Sequence, residues 1–328
     1  MGEFDLIARY FTRPTPNAAL GVGDDCALLQ PGPGMQLAIS SDMLVEGRHF
    51  LSTVDPCKLG HKALAVNLSD LAACGAKPLA FTLALALPRA DDVWLAPFSR
   101  GLLALADLHG CELIGGDTTQ GPLNICITVF GEVPAGQALL RSGAQAGDDL
   151  YVSGTLGDAR LALEVFRGTQ GVPADVFEQA RARMEQPTPR VALGMALRGI
   201  AHAAVDVSDG LLGDLGHILD ASGVGAVIDT STTINLIASS QDPIRDKSIF
   251  DADTQLGYVL AGGDDYELVF TAPAASREAV QAAARQTQTP VTRIGHIEAQ
   301  PGLRLVDAQG RPVSVQHLRS FDHFAGRP

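Results

Sequence analysis

Patterns typical of β-strands alternate with patterns typical of α-helices in both halves of the chain, and this alternation restricts the fold more than any other feature. In the first half, four apolar runs of strand length are interspersed with two segments of helical period. The strand-like runs are 35–45, 79–87, 111–119 and 123–133, and the helical segments are 57–76 and 91–110. Alternating strands and helices are typical of domains in which helices pack on a sheet. We therefore predict an α/β or α+β architecture.

The alternation starts again in the second half, after a segment rich in Gly, Ala and polar residues. This segment, near 135–148, marks the predicted boundary between domains at 1–138 and 148–328. A chain of 328 residues is long enough for roughly two domains, and its 46% of hydrophobic residues can supply a core for each. The helical pattern at 189–199 is one of several in the second domain, whereas residues 231–255 show no clear pattern.

Composition excludes some classes of partner. The formal net charge of −13 argues against a nucleic-acid-binding protein, which would carry basic clusters. No basic and then apolar leader is recognisable at the N-terminus, and the longest apolar run, PLAFTLALALP, is about half of a membrane span. Five scattered cysteines without a CxxC pair are typical of small buried residues in a reducing compartment. We expect a cytoplasmic protein that binds neither nucleic acid nor membrane.

Acidic residues recur where predicted strands end and inside apolar helices. They are Asp24, Asp25, Asp42, Asp70, Asp117, Asp206, Asp209, Asp264 and Asp265. Some have a plain structural interpretation, since Asp209 could cap the helix that follows and Asp42 could end a strand in a turn. Asp70 is harder to explain in this way, because aspartate is a poor helix former and here lies among Ala, Leu and Val. Asn67, three residues earlier, shares its helical face.

A carboxylate in apolar surroundings needs a positive partner, and few Lys or Arg residues lie near these segments. Oxygen ligands without a set of His or Cys favour Mg²⁺ or Ca²⁺ over zinc, and Mg²⁺ is commonly held by a few carboxylates together with nucleotide phosphates. The sequence has no Walker motif, no complete GxGxxG and no protein-kinase motif set. The residues alone therefore predict a hard-cation site, with any nucleotide bound by an uncommon scheme.

Seven segments together resemble the thiamine-monophosphate kinase family, part of the aminoimidazole ribonucleotide synthetase superfamily. They are GVGDDCALL, AISSDMLVEGRHF, KALAVNLSDLAACGA, LIGGDTT, RSGAQAGD, VDVSDGL and AGGDDYEL. The resemblance implies a two-domain fold like that of the synthetase. The N-terminal domain would bind ATP and Mg²⁺ and form a barrel-like sheet across a homodimer, beside a C-terminal α/β domain. It also implies ATP-dependent phosphorylation of thiamine monophosphate to thiamine diphosphate, by in-line transfer assisted by several Mg²⁺ ions.

The resemblance implies roles for individual residues. The Mg²⁺ ligands or their close supports would be Asp25, Ser40, Ser41, Asp42, Asp70, Asp117, Asp206 and Asp209. ATP would be contacted by Gly116, Asp117, Arg141 and Ser208. The substrate contacts would be His49, Asp264 and Phe321. No general base is expected, because the attacking oxygen belongs to a phosphate monoester, whose second pKa of about 6 leaves it largely deprotonated at neutral pH.

Two positions depart from the family pattern. Asp264 replaces the usual Glu with a carboxylate one methylene shorter, and Phe321 replaces a frequent tyrosine and so lacks its hydroxyl. Three functions stay open on the sequence: the kinase, an ATP-dependent ligase or synthetase of the same superfamily, and a metal-binding structural module without turnover. The selenophosphate member would need a catalytic cysteine or selenocysteine nearer the N-terminus than Cys26, which follows the GVGDD segment.

Overall fold

The structure, a computed structural model, describes residues 2–237 and 251–314. The chain divides into two compact units, residues 1–138 and 139–328. The first contains a four-stranded sheet and the second a six-stranded sheet, and both units carry helices. The predicted combination of sheets and helices is therefore confirmed in each unit. No helix in the described part of the chain is both long enough and apolar enough to cross a membrane.

The first unit is a mixed sheet with two long helices. Its elements are α1 (Glu3–Tyr10), β1 (Met35–Val45), α2 (Pro56–Ala73), β2 (Lys77–Leu87), α3 (Asp92–His109), β3 (Glu112–Gln120) and β4 (Asn124–Pro134). The strand order is β1-β4-β2-β3. Strand β4 is antiparallel to β1 and β2, whereas β2 and β3 are parallel. A parallel pair needs a crossover connection, which α3 supplies, while α2 packs on β1 and β4.

The second unit is a larger mixed sheet. Its elements are β5 (Asp148–Ser153), α4 (Asp158–Phe166), α5 (Ala174–Glu185), α6 (Val191–Ala196), β6 (Ala203–Asp206), α7 (Leu211–Ser222), β7 (Gly225–Asp229), α8 (Thr230–Thr233), α9 (Ala252–Ala261), β8 (Leu268–Pro273), α10 (Arg277–Gln286), β9 (Val291–Glu298) and β10 (Gly302–Val306). The strand order is β10-β7-β9-β5-β8-β6. Buried residues such as Val152, Leu215 and Val269 join the sheet and its helices in one core.

Polar residues are poor markers of strand ends in this protein. The polar residues 40–42 interrupt the apolar pattern of the predicted strand 35–45, but β1 continues through them because it pairs with β4 along its whole length. Asp117, predicted to lie in a turn after its strand, instead lies inside β3 and pairs with Ala84 of β2. Main-chain hydrogen bonds maintain both strands whatever side chains they carry. Helix α6 is shorter than the predicted 189–199, and α1 and α9 were not predicted.

The cysteines match the expectation only in part. All five lie in the described chain, and none forms a disulfide. Cys111 is buried as expected, and burial raises the pKa of its thiol. Cys26 is exposed, because the loop that follows the GVG turn lies at the surface. Burial of a small side chain follows its position in the fold, which composition alone does not specify.

Helices α2 and α3 approach each other closely at two glycines. A Cβ atom added to Gly60 would lie 2.1 Å from the carbonyl oxygen of Phe98. A Cβ atom added to Gly101 would lie 1.8 Å from the carbonyl oxygen of Cys57. Both distances are far below van der Waals contact, so only glycine permits this separation. The close approach fixes the position of α2, which carries Asp70.

We expect Gly101→Ala to destabilise the first unit by about 1–3 kcal/mol or more, because the added methyl group does not fit between the two helices. Thermal unfolding followed by circular dichroism measures the loss. The matched control is Gly216→Ala in α7, where no atom lies within 4 Å of an added Cβ. That helical substitution should stabilise by up to about 1 kcal/mol. Equal melting temperatures for Gly101→Ala and the native protein would contradict the packing argument.

Candidate functional site

Strand β1 and helix α2 bring four polar residues together, here named the β1–α2 cluster: Ser40, Asp42, Asn67 and Asp70. The Ser40 hydroxyl donates to Oδ2 of Asp70 at 2.5 Å. The main-chain N–H of Asp42 donates to Oδ1 of Asn67 at 3.1 Å. Asn67 is only 1% exposed and donates its amide to the carbonyl oxygen of Ala63 at 3.0 Å, which fixes its orientation. Side chains alternate along a strand, so Ser40 and Asp42 both face α2.

Ser41 faces the opposite side of β1. Its hydroxyl lies 2.9 Å from Oγ1 of Thr128 and donates to the carbonyl oxygen of Ile127 at 3.2 Å. The sequence groups Ser41 with its two neighbours as a ligand, but the structure does not bring its side chain to Asp70. The pleat of the strand separates consecutive residues by placing their side chains on different faces.

A cavity of about 620 Å³ brings two distant acidic segments together. Its walls include the loop 23–25 and, from β3, Gly116 and Asp117. Gly116 has φ of 142°, and a Cβ there would lie 1.9 Å from the carbonyl oxygen of Leu83, so glycine is required where β3 approaches β2. Asp25 and Asp117 are both exposed and line the same cavity, although most of the first unit separates them in sequence.

His49 closes the turn that follows β1. The ring nitrogen Nδ1 of His49 accepts the main-chain N–H of Val45 at 3.0 Å, and the main-chain N–H of His49 donates to the Val45 carbonyl oxygen at 3.0 Å. A ring nitrogen that accepts a hydrogen bond carries a lone pair, so the proton of the neutral imidazole lies on Nε2. The structure therefore gives this predicted substrate contact a local role in the turn.

In the second unit, the loop 206–210 after β6 pairs with the loop 262–267 before β8. Three main-chain hydrogen bonds join them: Val207 N–H to the Glu267 carbonyl oxygen at 2.8 Å, Tyr266 N–H to that of Val207 at 2.9 Å, and Asp264 N–H to that of Ser208 at 2.7 Å. This pairing sets Asp264 beside Ser208. Two of the acidic segments singled out by the sequence thus become neighbours.

The loop 262–267 holds three residues in the left-handed region of backbone conformation. Gly263, Asp264 and Tyr266 have φ values of 70°, 64° and 54°. A bulky residue such as tyrosine rarely adopts this conformation, and such strain persists only where the surroundings enforce it, often at functional sites. Aspartate tolerates the conformation better than most residues. This tolerance is a physical reason why the short carboxylate of Asp264 suits this position.

Buried Glu267 anchors the end of this strained loop. Its side chain is completely buried and accepts hydrogen bonds from Arg183 at 2.6 Å and from Nε of Arg190 at 2.6 Å. The Ser153 hydroxyl donates to the same carboxylate at 2.6 Å. A Cβ atom on Gly154 would lie 2.0 Å from it, so glycine is required there. The carboxylate is thus surrounded by donors and fixes the start of β8.

Asp214 and Asp265 are buried aspartates of the second unit to which the sequence analysis assigns no role. Asp214 in α7 accepts the main-chain N–H groups of residues 208–210, and burial raises its pKa to about 7. Asp265 accepts the N–H of Gly157 at 2.9 Å, and burial raises its pKa well above the usual value. Asp214 lies among apolar residues of a helix, which is the signal that singled out Asp70. The same criterion applied to LLGDLGHIL would have found Asp214.

Arg141 lies away from the loop 206–210. Ser222, the last residue of α7, donates its hydroxyl to the carbonyl oxygen of Arg141 at 3.2 Å. Ser208 precedes the first turn of the same helix, which has 12 residues and is therefore about 18 Å long. The main chains at these two predicted ATP contacts thus lie at opposite ends of α7. Phe321, the third predicted substrate contact, lies outside the described residues.

The donor atoms fit a hard cation. The β1–α2 cluster and the acidic residues of the cavity offer carboxylate, hydroxyl and amide oxygens, which Mg²⁺ prefers. Within residues 2–237 and 251–314, no group of three or more His, Cys, Asp or Glu side chains is placed to hold a metal ion. Mg²⁺ usually takes one or two carboxylates and completes its shell with waters and substrate phosphates. The arrangement therefore fits Mg²⁺ bound together with a phosphate ligand.

Comparison with known protein families gives two matches. Residues 23–133 match the family model described as AIR synthase related protein, N-terminal domain. Residues 145–308 match the model described as AIR synthase related protein, C-terminal domain. The two matches fall in the two compact units in order and cover most of the chain.

Individual relatives resemble the chain over nearly its full length. It is 47% identical to the thiamine-monophosphate kinase of Salmonella typhimurium, over 99% of this chain and 98% of the relative. A crystal structure of thiamine-monophosphate kinase from Stenotrophomonas maltophilia K279a has a TM-score of 0.82 at 45% identity, covering 94% and 96% of the two chains. The structure of AaThiL complexed with AMPPCP and TMP has a TM-score of 0.74 at 28% identity, covering 90% and 89%.

We expect Glu267→Ala to lower the free energy of unfolding by about 3–5 kcal/mol, because it leaves two largely buried guanidinium groups without their carboxylate. Denaturant unfolding measures the change. The control is Lys77→Ala, which removes an ion pair with Glu132 at 3.6 Å whose lysine is 61% exposed, and it should cost less than about 1 kcal/mol. A loss for Glu267→Ala no larger than that of the control would show that the anchor is dispensable.

Proposed function

Because the chain belongs to the thiamine-monophosphate kinase family of AIR synthase related proteins, we propose that its acidic segments hold the Mg²⁺ ions of that reaction. The protein is a kinase that uses ATP to phosphorylate thiamine monophosphate to thiamine diphosphate. The fold is the two-domain α/β fold of the family, with one mixed sheet in each domain. The observation that carries the function is 47% identity to a kinase of this name along 99% of the chain.

The bound ligands of a relative support the choice of substrates. AaThiL was solved with AMPPCP, an analogue of ATP, and with TMP. We assign the ATP contacts of this chain to Gly116, Asp117, Arg141 and Ser208. The substrate contacts are assigned to His49, Asp264 and Phe321. The strained backbone at Tyr266, two residues after Asp264 in the same loop, supports the place of this loop at the site, since strain of this kind gathers at ligand contacts.

The chemistry needs no general base. The nucleophile is an oxygen of the substrate's own phosphate, and a phosphate monoester has a second pKa of about 6. At neutral pH this oxygen is therefore already largely deprotonated. In-line transfer then needs alignment of the two phosphates and cancellation of their charge, with no phosphoenzyme.

The main barrier is electrostatic. Two unit charges about 4 Å apart repel by roughly 4 kcal/mol at an effective dielectric constant of 20, and two polyanions meet here in a protein of net charge −13. Bound Mg²⁺ would neutralise the phosphates and stabilise charge on the transferred group. The first unit would supply Asp25, Ser40, Asp42, Asp70 and Asp117 as ligands or supports, whereas the predicted ligand Ser41 faces the other side of β1 and is left out of the set. The second unit would supply Asp206 and Asp209.

The side chains of the first unit orient these ligands before any substrate binds. Ser40 donates to the Asp70 carboxylate at 2.5 Å, so that carboxylate keeps one orientation. Buried Asn67 holds the main chain at Asp42. Hydrogen bonds of this kind to a ligand raise the precision of a metal site, because less conformational entropy is lost on binding.

We predict that the purified chain converts thiamine monophosphate to thiamine diphosphate when ATP and Mg²⁺ are present, and that EDTA stops the reaction. Asp70→Asn should abolish turnover, because it removes the charge of a proposed ligand, and should leave the melting temperature close to native. Chromatography of the thiamine phosphates measures the product. The control is Asp107→Asn on α3, a surface carboxylate paired with Arg13, which should keep native turnover.

Folded protein that forms no thiamine diphosphate under these conditions would refute the function. Native turnover in Asp70→Asn would refute only the role of that residue, because the reaction itself would then be present.

We also propose that the chain forms the homodimer that the family resemblance implies, and that β1 lies in its interface. Strand β1 is at the edge of its sheet. Its outward face exposes Leu37, Ile39 and Met43 by 40%, 59% and 52%. A long edge strand with exposed apolar side chains promotes aggregation unless another chain covers it. A second copy of the same strand offers a matching apolar face.

We predict that Ile39→Asp shifts the protein from dimer to monomer, because burying a carboxylate in an apolar interface is unfavourable. Light scattering after size-exclusion chromatography measures the molar mass. The control is Val93→Asp, at an 84% exposed position in the first turn of α3, where a carboxylate is tolerated and the dimer should persist. A native chain that is monomeric at all concentrations, or an Ile39→Asp variant that stays dimeric, would contradict this interface.

A further inference from the structure

The loop 206–210 is fixed through one buried carboxylate of α7. Oδ2 of Asp214 accepts the main-chain N–H groups of three consecutive residues: Ser208 at 3.0 Å, Asp209 at 3.1 Å and Gly210 at 3.1 Å. Asp214 is 3% exposed and lies in the first turn of α7. The family resemblance assigns no role to Asp214. The geometry is that of an anion held by a row of converging amides.

Converging amides before a helix are the usual site for a phosphate. Here the protein's own carboxylate occupies that position, so the three N–H groups are not available to a nucleotide. Of the two remaining residues, Val207 donates its N–H to the Glu267 carbonyl oxygen at 2.8 Å, and Asp206 belongs to β6, where it pairs with Leu268 of β8. The loop must therefore act on a ligand through its side chains and not through its amides.

The other side of the loop is closed by the loop 262–267. Asp264 donates its N–H to the Ser208 carbonyl oxygen at 2.7 Å. A Cβ atom on Gly210, which has φ of 114°, would lie 3.0 Å from the main-chain carbon of Ala261. The main chain at 207–210 is thus held from two sides, whereas the side chains of Ser208 and Asp209 remain half-exposed.

We propose that Asp214 is a positioning residue of the kinase site, whose carboxylate sets the main chain of the loop 206–210 so that Asp206, Ser208 and Asp209 present their side chains to Mg²⁺ and ATP. Asp214 itself touches neither ligand. This inference rests on the proposed function of those three residues. Without the carboxylate, three largely buried N–H groups lose their acceptor and the loop must rearrange to satisfy them.

The test compares Asp214→Ala with Asp214→Asn. Asparagine keeps an oxygen that can accept the three N–H groups, and alanine does not. Calorimetry measures the binding of Mg²⁺ and AMPPCP, and it does not depend on turnover. Asp214→Ala should weaken the binding by about 10- to 100-fold, the usual effect of removing a partner that orients metal ligands, and Asp214→Asn should restore most of it.

The matched control is Asp229→Ala. Asp229 accepts the N–H of Ser231 at 2.9 Å at the start of α8 and lies outside both paired loops. The Asp229→Ala substitution should lower the melting temperature and leave AMPPCP binding unchanged. If Asp214→Ala also loses stability with unchanged binding, its role is only structural and the proposal is overturned. It is overturned as well if Asp214→Asn binds as weakly as Asp214→Ala, since charge would then matter instead of the hydrogen bonds.

Hydrogen exchange of the native protein tests the geometry even if Asp214→Ala fails to fold. The amides of residues 208–210 should exchange slowly, because each is bonded to a buried acceptor. Exchange as fast as that of an open loop would overturn the proposal. A native protein with slow exchange at these amides that fails to bind AMPPCP would instead refute the proposed function, which separates the two failures.

Discussion

Carboxylates removed from water need donors, and this requirement organises both units of the protein. Moving an ion out of water costs several kcal/mol unless hydrogen bonds and opposite charges compensate. Ser40 supplies a donor to Asp70, two arginines and a serine supply them to Glu267, and three main-chain amides supply them to Asp214. Each set of donors joins elements or loops that local backbone hydrogen bonds alone would not hold together.

The acidic residues fall into two groups with different uses. Glu267 and Asp214 are buried and bonded by the protein, so they fix loops. Asp25 and Asp117 are exposed on the walls of one cavity, where a cation and its phosphate ligand can reach them. An acidic protein can bind two anionic substrates in this way. Few lysines and arginines lie near the acidic segments, so bound cations would supply the positive charge there.

Much of the fold could be predicted because strand and helix periods are local. The pattern over 35–45 matches β1, and the apolar helix around Asp70 matches α2 apart from its ends. The site could be predicted less completely. Ser41 shares a motif with Ser40 but faces away from Asp70, and Asp214 was missed although it lies in an apolar helix, as Asp70 does. Motif letters record which residues are adjacent in sequence, whereas the pleat and the helix turn decide where side chains point.

By itself, the sequence determined the class of fold and the family, and it predicted a site of oxygen ligands. These follow from local periodicity, from residue types and from the order of motifs along the chain, all of which can be recognised without knowledge of tertiary contacts. Only the tertiary structure decided which of the predicted site residues become neighbours: Asp25 and Asp117 line one cavity, and Asp264 bonds to Ser208 across two loops. Such encounters depend on strand register and helix packing between segments far apart in the chain. No local sequence pattern specifies these contacts, because many different folds of the chain would have the same strand and helix periodicity.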